Sequence, residues 1–257
     1  MNLRIRFAQL LLSAGEFLTS LPVAVLRPAD MGELARVRYD RSSATWNALN
    51  DPDKGLTSDE QALWEYVPRR AGRMLILGGG GGREAIFFAR QGWQVTALDI
   101  SEGMLAQARG AMQARGLQME TMQGDLATFD APAQSFDAIW TSMFLYSLVL
   151  GRARRIAMLR RLRAMLSPGG WLVVSFHLDP RAQVSPKKNR ARRLLARLTF
   201  GNCDYQNGDI LFGTLEFRHA FVSETELRAE FDASGLTTLH LSAFEKMMRG
   251  GAVLVNH

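Results

Sequence analysis

Five consecutive glycines, Gly78 to Gly82, follow directly on an apolar run, Met74-Leu75-Ile76-Leu77. A segment with no Cβ atoms has little to pack with; what it offers is backbone, in left-handed turns or in close approach to a ligand. The run before it reads as a buried strand, and the pattern after it, over residues 84–90 and ending at Gly92, reads as a helix. The loop therefore sits at a helix N-terminus, where free N–H groups and the helix dipole favour an anionic or polar group. It does not name that group. Gly80, Gly82 and Ala85 satisfy the G-x-G-x-x-[GA] dinucleotide pattern, whereas Gly78, Gly80 and Gly82 satisfy G-x-G-x-G.

Strand and helix keep alternating beyond the loop. Residues 94–98 read as a second strand, 102–115 as a helix closed by Gly116, 119–123 as a third strand and 136–141 as a fourth. A long helix over 152–166 is stopped by Ser167-Pro168-Gly169-Gly170, and 171–176 makes a fifth strand. Residues 210–221 carry one or two further strands, a capping box at Ser223 to Glu226 opens a helix ending near Gly235, and 237–241 with 252–255 form a closing pair. Upstream, Ser58-Asp59-Glu60-Gln61 matches a capping box for a helix over 59–67, while 27–52 reads as a polar stretch ending in the turn Asn50-Asp51-Pro52. This alternation predicts an α/β doubly wound fold: a mostly parallel, seven-stranded sheet with helices on both faces.

Composition bounds the rest. A chain of 257 residues, 47% hydrophobic and 22% charged, buries a sizeable core as one main domain. Its one cysteine, Cys203, builds neither a disulfide framework nor a cysteine-rich zinc site; no metal is expected, and a reducing, cytoplasmic compartment fits best. The net charge is +6, and between Arg152 and Arg197 thirteen basic residues face a single acid, Asp179. Such a field attracts anions: phospholipid headgroups, phosphorylated small molecules or nucleic acid.

At the other end, Leu3, Phe7, Leu10, Ala14, Phe17 and Leu21 fall at spacings of three and four, so residues 1–26 predict an amphipathic helix plus extension rather than a cleaved signal, which Glu16 interrupts. That helix suits the inner face of an anionic membrane, a second copy of the chain in a homodimer, or the chain's own core. The expected division is an extension over 1–56, with Tyr39 and Trp46 as lid aromatics, and a ligand-binding domain over 57–257 with a basic insertion at about 178–210.

Asp99, at the end of the second strand, is placed to accept hydrogen bonds from ribose hydroxyls, which points to a nucleoside-bearing ligand. Gly124-Asp125-Leu126 puts another carboxylate at the end of the third strand, within reach of an adenine amino group. In order and spacing, LILGGGGG, ALDIS with Met104 behind it, GDL, SFDAIW and LSPGGWLVVSF resemble the class I S-adenosylmethionine-dependent methyltransferases over residues 60–255.

The resemblance implies S-adenosylmethionine as cofactor. Gly78, Gly79, Gly80 and Gly82 would approach its methionine part, Asp99 its ribose, and Ile100 and Met104 would flank the adenine. Asp125 would meet the adenine amino group, Leu126 would pack on the ring, and Thr141 or Ser142 would line the floor beneath the sulfonium. The family usually keeps an acid two residues before the first glycine; here that position is Ile76, and Glu84 or a loop carbonyl is left to fix the cofactor's amino group.

A sulfonium methyl is already activated, so placement of an acceptor does most of the work, with a base only where the acceptor must lose a proton. His177 and His219 are candidate bases, and Tyr146 is a candidate for ordering the acceptor. Enzymes of this kind that methylate exocyclic base amines carry [ND]-P-P-[YFW] after the fourth strand; here the place reads Thr-Ser-Met-Phe-Leu-Tyr. A small-molecule acceptor, anionic or lipid-linked, is therefore expected ahead of RNA or protein, and a non-catalytic interaction subunit stays as the alternative.

Overall fold

The computed structural model describes residues 15, 18, 20–49, 51–67, 71–212, 216–244 and 248–257; side chains of 39–49 and 212 lie outside it. The expected stripe over residues 1–26 falls mostly outside this range, as do the side chains of Tyr39 and Trp46.

The apolar run before the glycines is β1 (Arg73–Leu77), and it is buried on both faces. Successive side chains of a strand point to opposite sides, so Met74 and Ile76 enter one core and Leu75 and Leu77 the other. Parallel neighbours flank it: β2 (Gln94–Asp99) with Ile76 opposite Ala97, and β4 (Phe136–Thr141) with Ile76 opposite Trp140. Beyond β2 lies β3 (Glu120–Gln123), and beyond β4 lies β5 (Leu166–Leu178), both parallel.

The C-terminal hairpin β8 (Thr237–Phe244) and β9 (Arg249–Val255) closes this edge, β9 running antiparallel to β5. The sheet has nine strands rather than seven. The extra pair is the hairpin β6 (Asp209–Phe212) and β7 (Glu216–Phe221), attached where the overlong end of β5, His177 and Leu178, pairs in parallel with Ala220 and Phe221.

Helices cover both faces. In chain order they are α1 (Pro22–Val25), α2 (Pro28–Leu49), α3 (Ser58–Trp64), α4 (Arg83–Arg90), α5 (Glu102–Gln113), α6 (Leu145–Leu148), α7 (Arg152–Met165), α8 (Pro186–Leu198) and α9 (Glu224–Ser234). Leu63, Ile86, Phe88 and Met112 pack under Trp140 and Trp171 on one side; Met158, Leu162 and Phe231 pack under Ile139 and Val174 on the other. Burying each such side chain contributes about 1.5–3 kcal/mol.

Three expectations change. The polar stretch before Asn50 is helical: α2 starts with Pro28 in its first turn and an Arg27–Asp30 ion pair at 3.0 Å, and its polar sequence carried no clear apolar stripe. The cap of α3 is Thr57, not Ser58: its hydroxyl accepts from the N–H of Glu60, whose carboxylate accepts from the N–H of Thr57 at 2.7 Å. The basic insertion is ordered around α8, capped by Ser185. It is tied to α1, where the N–H of Asn202 donates to the carbonyl of Ala24 at 2.9 Å.

Candidate ligand site at the carboxyl edge of the sheet

The glycines turn the chain from β1 into α4. Gly78, Gly80 and Gly82 have φ of 72°, 48° and 88°. Close packing excludes side chains at the loop's back: a Cβ on Gly79 would lie 2.8 Å from Ala97 Cβ, and one on Gly82 3.1 Å from the Cα of Ala108. Glycine is thus required on the protein side of the loop.

β2 delivers Asp99 to the same place. Its Oδ2 accepts from the N–H of Gly80 at 3.0 Å and its Oδ1 from that of Ser101 at 2.9 Å, so the carboxylate is pinned beside the loop. Ile100 follows, half-buried, and Met104 is buried with its ε-methyl against Gly80. The N–H of Gly124 donates to the Asp99 carbonyl at 3.0 Å, which brings the end of β3 alongside. Asp125 is exposed, with Oδ1 accepting from the N–H of Ala127 at 2.8 Å, and Leu126 packs against the core. From β4, Thr141 is buried, its hydroxyl accepting from the N–H of Ser175. Ser142 lies against Gly78, with its hydroxyl buried. The predicted cofactor residues therefore gather at the carboxyl ends of adjacent strands.

Ile76 is fully buried among Leu63, Ala85 and Trp140. The nearby acid is Glu84, in the first turn of α4 and also buried. Arg83 donates to Glu84 at 2.8 Å, to both oxygens of Glu60 at 2.7 and 2.8 Å, and to the carbonyl of Gly55. One guanidinium serves two carboxylates. Burial and the charge of Glu60 push the Glu84 carboxyl up to about 7, against the pull of Arg83 and the Ser142 hydroxyl. Burial opposes ionisation of Glu60 as well, but hydrogen bonds from Arg83 outweigh it and hold that carboxyl below its usual range.

The three catalytic candidates separate. Tyr146 is fully buried, its hydroxyl donating to Glu230 at 2.6 Å beside Arg155, and His219 is buried between Asp209 at 2.7 Å and Glu226 at 3.0 Å. Both are committed to internal networks. For His219, burial disfavours the cation, yet the two carboxylates outweigh it and raise the pKa. His177 differs: it ends β5, is buried, and its Nδ1 has no partner. Burial and then Arg218 lower its pKa, which favours the neutral ring.

Sequence reasoning missed the surroundings of His177. Phe144, with φ of 61°, lies 5.9 Å from its ring in an edge-on contact, and the guanidinium groups of Arg218 and Arg249 lie 4.6 and 5.1 Å from the Phe144 ring centre. These residues come from three distant segments and have no local signature. Met143, Phe144, Ser175 and Arg249 meet Asp59 and Leu63 of α3 around a space of only about 20 Å³.

A family model described as a methyltransferase domain matches residues 74–170. The chain is 32% identical over 141 residues to the phosphatidylethanolamine N-methyltransferase of Cereibacter sphaeroides, covering 53% of this chain and 66% of that protein. It is 27% identical over 146 residues to the tRNA 5-carboxymethoxyuridine methyltransferase of Escherichia coli K12, covering 57% and 51%. The chain spans 39% to 66% of the length of the curated relatives it matches. Among solved structures, the 1,6-didemethyltoxoflavin-N1-methyltransferase of Burkholderia thailandensis, crystallised with S-adenosylhomocysteine, shares the fold with a TM-score of 0.63 at 16% identity, covering 89% of this chain and 90% of that one.

Proposed function

The chain belongs to the class I S-adenosylmethionine-dependent methyltransferase family, and on that premise we propose that it moves a methyl group from S-adenosylmethionine to an oxygen or nitrogen atom of a small-molecule acceptor. The observation that carries this reading is the convergence, at one sheet edge, of the glycine backbone, the Asp99 carboxylate and the buried Glu84–Ser142 pair. The residues fit the cofactor. The loop accepts no Cβ at Gly79, Asp99 is an acceptor for vicinal hydroxyls, Met104 and Ile100 are apolar flanks, and the buried Ser142 hydroxyl lies against the first glycine, where an amino-acid moiety would meet the loop.

When bound, the cofactor supplies a methyl group on a sulfonium, a leaving group that needs no proton. The protein's part is placement. Asp99 would hold the ribose and the loop the methionine part, and Glu84 in its ionised form would face the ammonium in place of an acid at position 76. Phe144 and Met143, beside α3, would border the acceptor side. Where the acceptor must lose a proton, His177 would be the base, its lowered pKa favouring the neutral ring and its Nδ1 having no partner.

The basic insertion supports an anionic acceptor, in solution or at the inner face of a membrane; no helix among the described residues is long and apolar enough to cross one. Isothermal titration with S-adenosylhomocysteine, followed by a search of cell extracts for metabolites that gain one methyl mass with the enzyme, tests the reading. Binding plus such a product supports it. Absence of binding in the wild-type protein overturns it in favour of an interaction subunit.

A further inference from the structure

A cleft of about 430 Å³ opens between the N-terminus of α7 and the C-terminal half of α8, with Arg152 and Arg154 on one wall and Arg193 and Arg197 on the other. Its size is that of a small-molecule site. The charge inventory is one-sided. Among the described residues Asp204 is the only acid lining it, and it is paired with Arg154 at 3.2 Å. Arg152 reaches Glu230 only at 4.0 Å, and that carboxylate is already committed to Arg155 at 2.6 Å. Among the described residues Arg193 and Arg197 form no ion pair.

Local helix energetics disfavour this arrangement. α7 opens on Gly151 with no side-chain cap and no acid in its first turn, and that turn carries Arg152, Arg154 and Arg155 at the positive end of the helix dipole. Arg193 and Arg197, four residues apart, place like charges side by side on one face of α8. Uncapped N–H groups and four convergent guanidiniums are the donor set that a phosphate takes up, through forked charge-assisted hydrogen bonds. At the floor Asn202 is fully buried, donating to the carbonyl of Val23 at 3.2 Å, while its Oδ1 has no partner. It ties this wall to α1 and keeps the cleft in shape without neutralising it.

We propose that this cleft binds the phosphate or diphosphate group of a small-molecule ligand. The chain leaves β4 at Thr141, forms α6 and enters α7 at Gly151, whose first turn lines the cleft. The proposal stands independently of methyl transfer.

Titration of the full-length protein with inorganic pyrophosphate at constant ionic strength tests it. Saturable one-to-one binding is expected, with Kd raised about tenfold or more in R193A/R197A, lowered in D204N, and unchanged in K187A/K188A, whose lysines are exposed and outside the cleft. No binding by the wild-type protein, equal binding by R193A/R197A, or an equal loss in K187A/K188A overturns it. Should R193A/R197A fail to fold, D204N decides: tighter binding supports the site and unchanged binding rejects it. Displacement of pyrophosphate by glycerol 3-phosphate supports a soluble ligand. Failure of glycerol 3-phosphate, together with sedimentation on phosphatidic-acid vesicles that is lost in R193A/R197A, transfers the site to a lipid surface and overturns the small-molecule class.

Discussion

Arg155 and Glu230 meet at 2.6 Å with both side chains fully buried, joining the first turn of α7 to α9 beneath the carboxyl edge of the sheet. Tyr146 donates to the same carboxylate, Gln206 accepts from Arg155 at 3.0 Å, and the Phe221 ring lies 5.0 Å from the guanidinium. Removing one partner of a buried pair leaves an uncompensated charge. Glu230→Ala is expected to lose about 3–5 kcal/mol in urea unfolding, and the joint replacement Arg155→Met, Glu230→Leu to lose less than Glu230→Ala alone. An equal or larger loss in the double variant would show that the pair itself contributes net stability.

Asp99→Ala removes the acceptor for ribose and for the N–H groups of Gly80 and Ser101. Titration calorimetry should show S-adenosylhomocysteine binding about tenfold weaker or worse, while far-UV circular dichroism stays that of the wild type. Retained affinity would mean that the ribose is held elsewhere.

Gly82→Ala strains a backbone at φ of 88° and presses a methyl group toward the α5 backbone at Ala108. The left-handed conformation costs about 1–2 kcal/mol for a residue with a Cβ, and the contact adds to it. A fall of roughly 2 kcal/mol or more in unfolding free energy is expected, with weaker S-adenosylhomocysteine binding.

Glu84, pushed up to about 7, makes stability pH-dependent. The folded protein keeps a proton that the unfolded carboxyl, with a usual value near 4.5, has already lost, so this contribution is full below about 4.5 and disappears as pH rises through about 7. Glu60 is shifted down and acts in the opposite sense, its contribution being lost only as pH falls below its usual range. Unfolding free energy should therefore decline with pH across the Glu84 window, by an amount on the order of 1–3 kcal/mol, and Glu84→Gln should flatten that decline. A slope unchanged in the variant would assign the titration to another group.

The same carboxyl sets an expectation for the cofactor. If ionised Glu84 faces the ammonium, S-adenosylhomocysteine binds more tightly as pH rises through about 7, Glu84→Gln removes the trend, and 5′-methylthioadenosine, which lacks the amino acid, shows none. A pH trend shared by both ligands would place the amino group against a loop carbonyl instead.

Local chemistry made much of this legible in sequence. Consecutive glycines after a two-sided apolar strand, Asp99 at the next strand end and GDL at the third are each short-range signals, and a parallel sheet brings its strand ends together without further instruction. Where the signal was weak the reading slipped. α2 has a polar sequence, so no stripe announced it, and the Thr57 cap differs from a Ser58 cap by one residue in a run of hydroxyls and acids.

Histidine and tyrosine candidates show the other limit. His177, His219 and Tyr146 are equally polar in sequence, yet their surroundings depend on how the chain folds: Tyr146 meets Glu230, 84 residues on, His219 meets Asp209 and Glu226 from the strand and helix on either side of it, and the Nδ1 of His177 meets no partner. The ion pair of Arg155 with Glu230 and the stacking of Arg218 and Arg249 around Phe144 have the same origin.

By itself the sequence determined the alternation of strand and helix, the loop that only glycine can form and the carboxylate that follows it, because these rest on backbone conformation and hydrophobic period within a few residues. The tertiary structure alone decided which buried polar groups satisfy one another and which are left free, because desolvation penalises an unpaired group strongly and its partner is supplied by folding, not by sequence proximity.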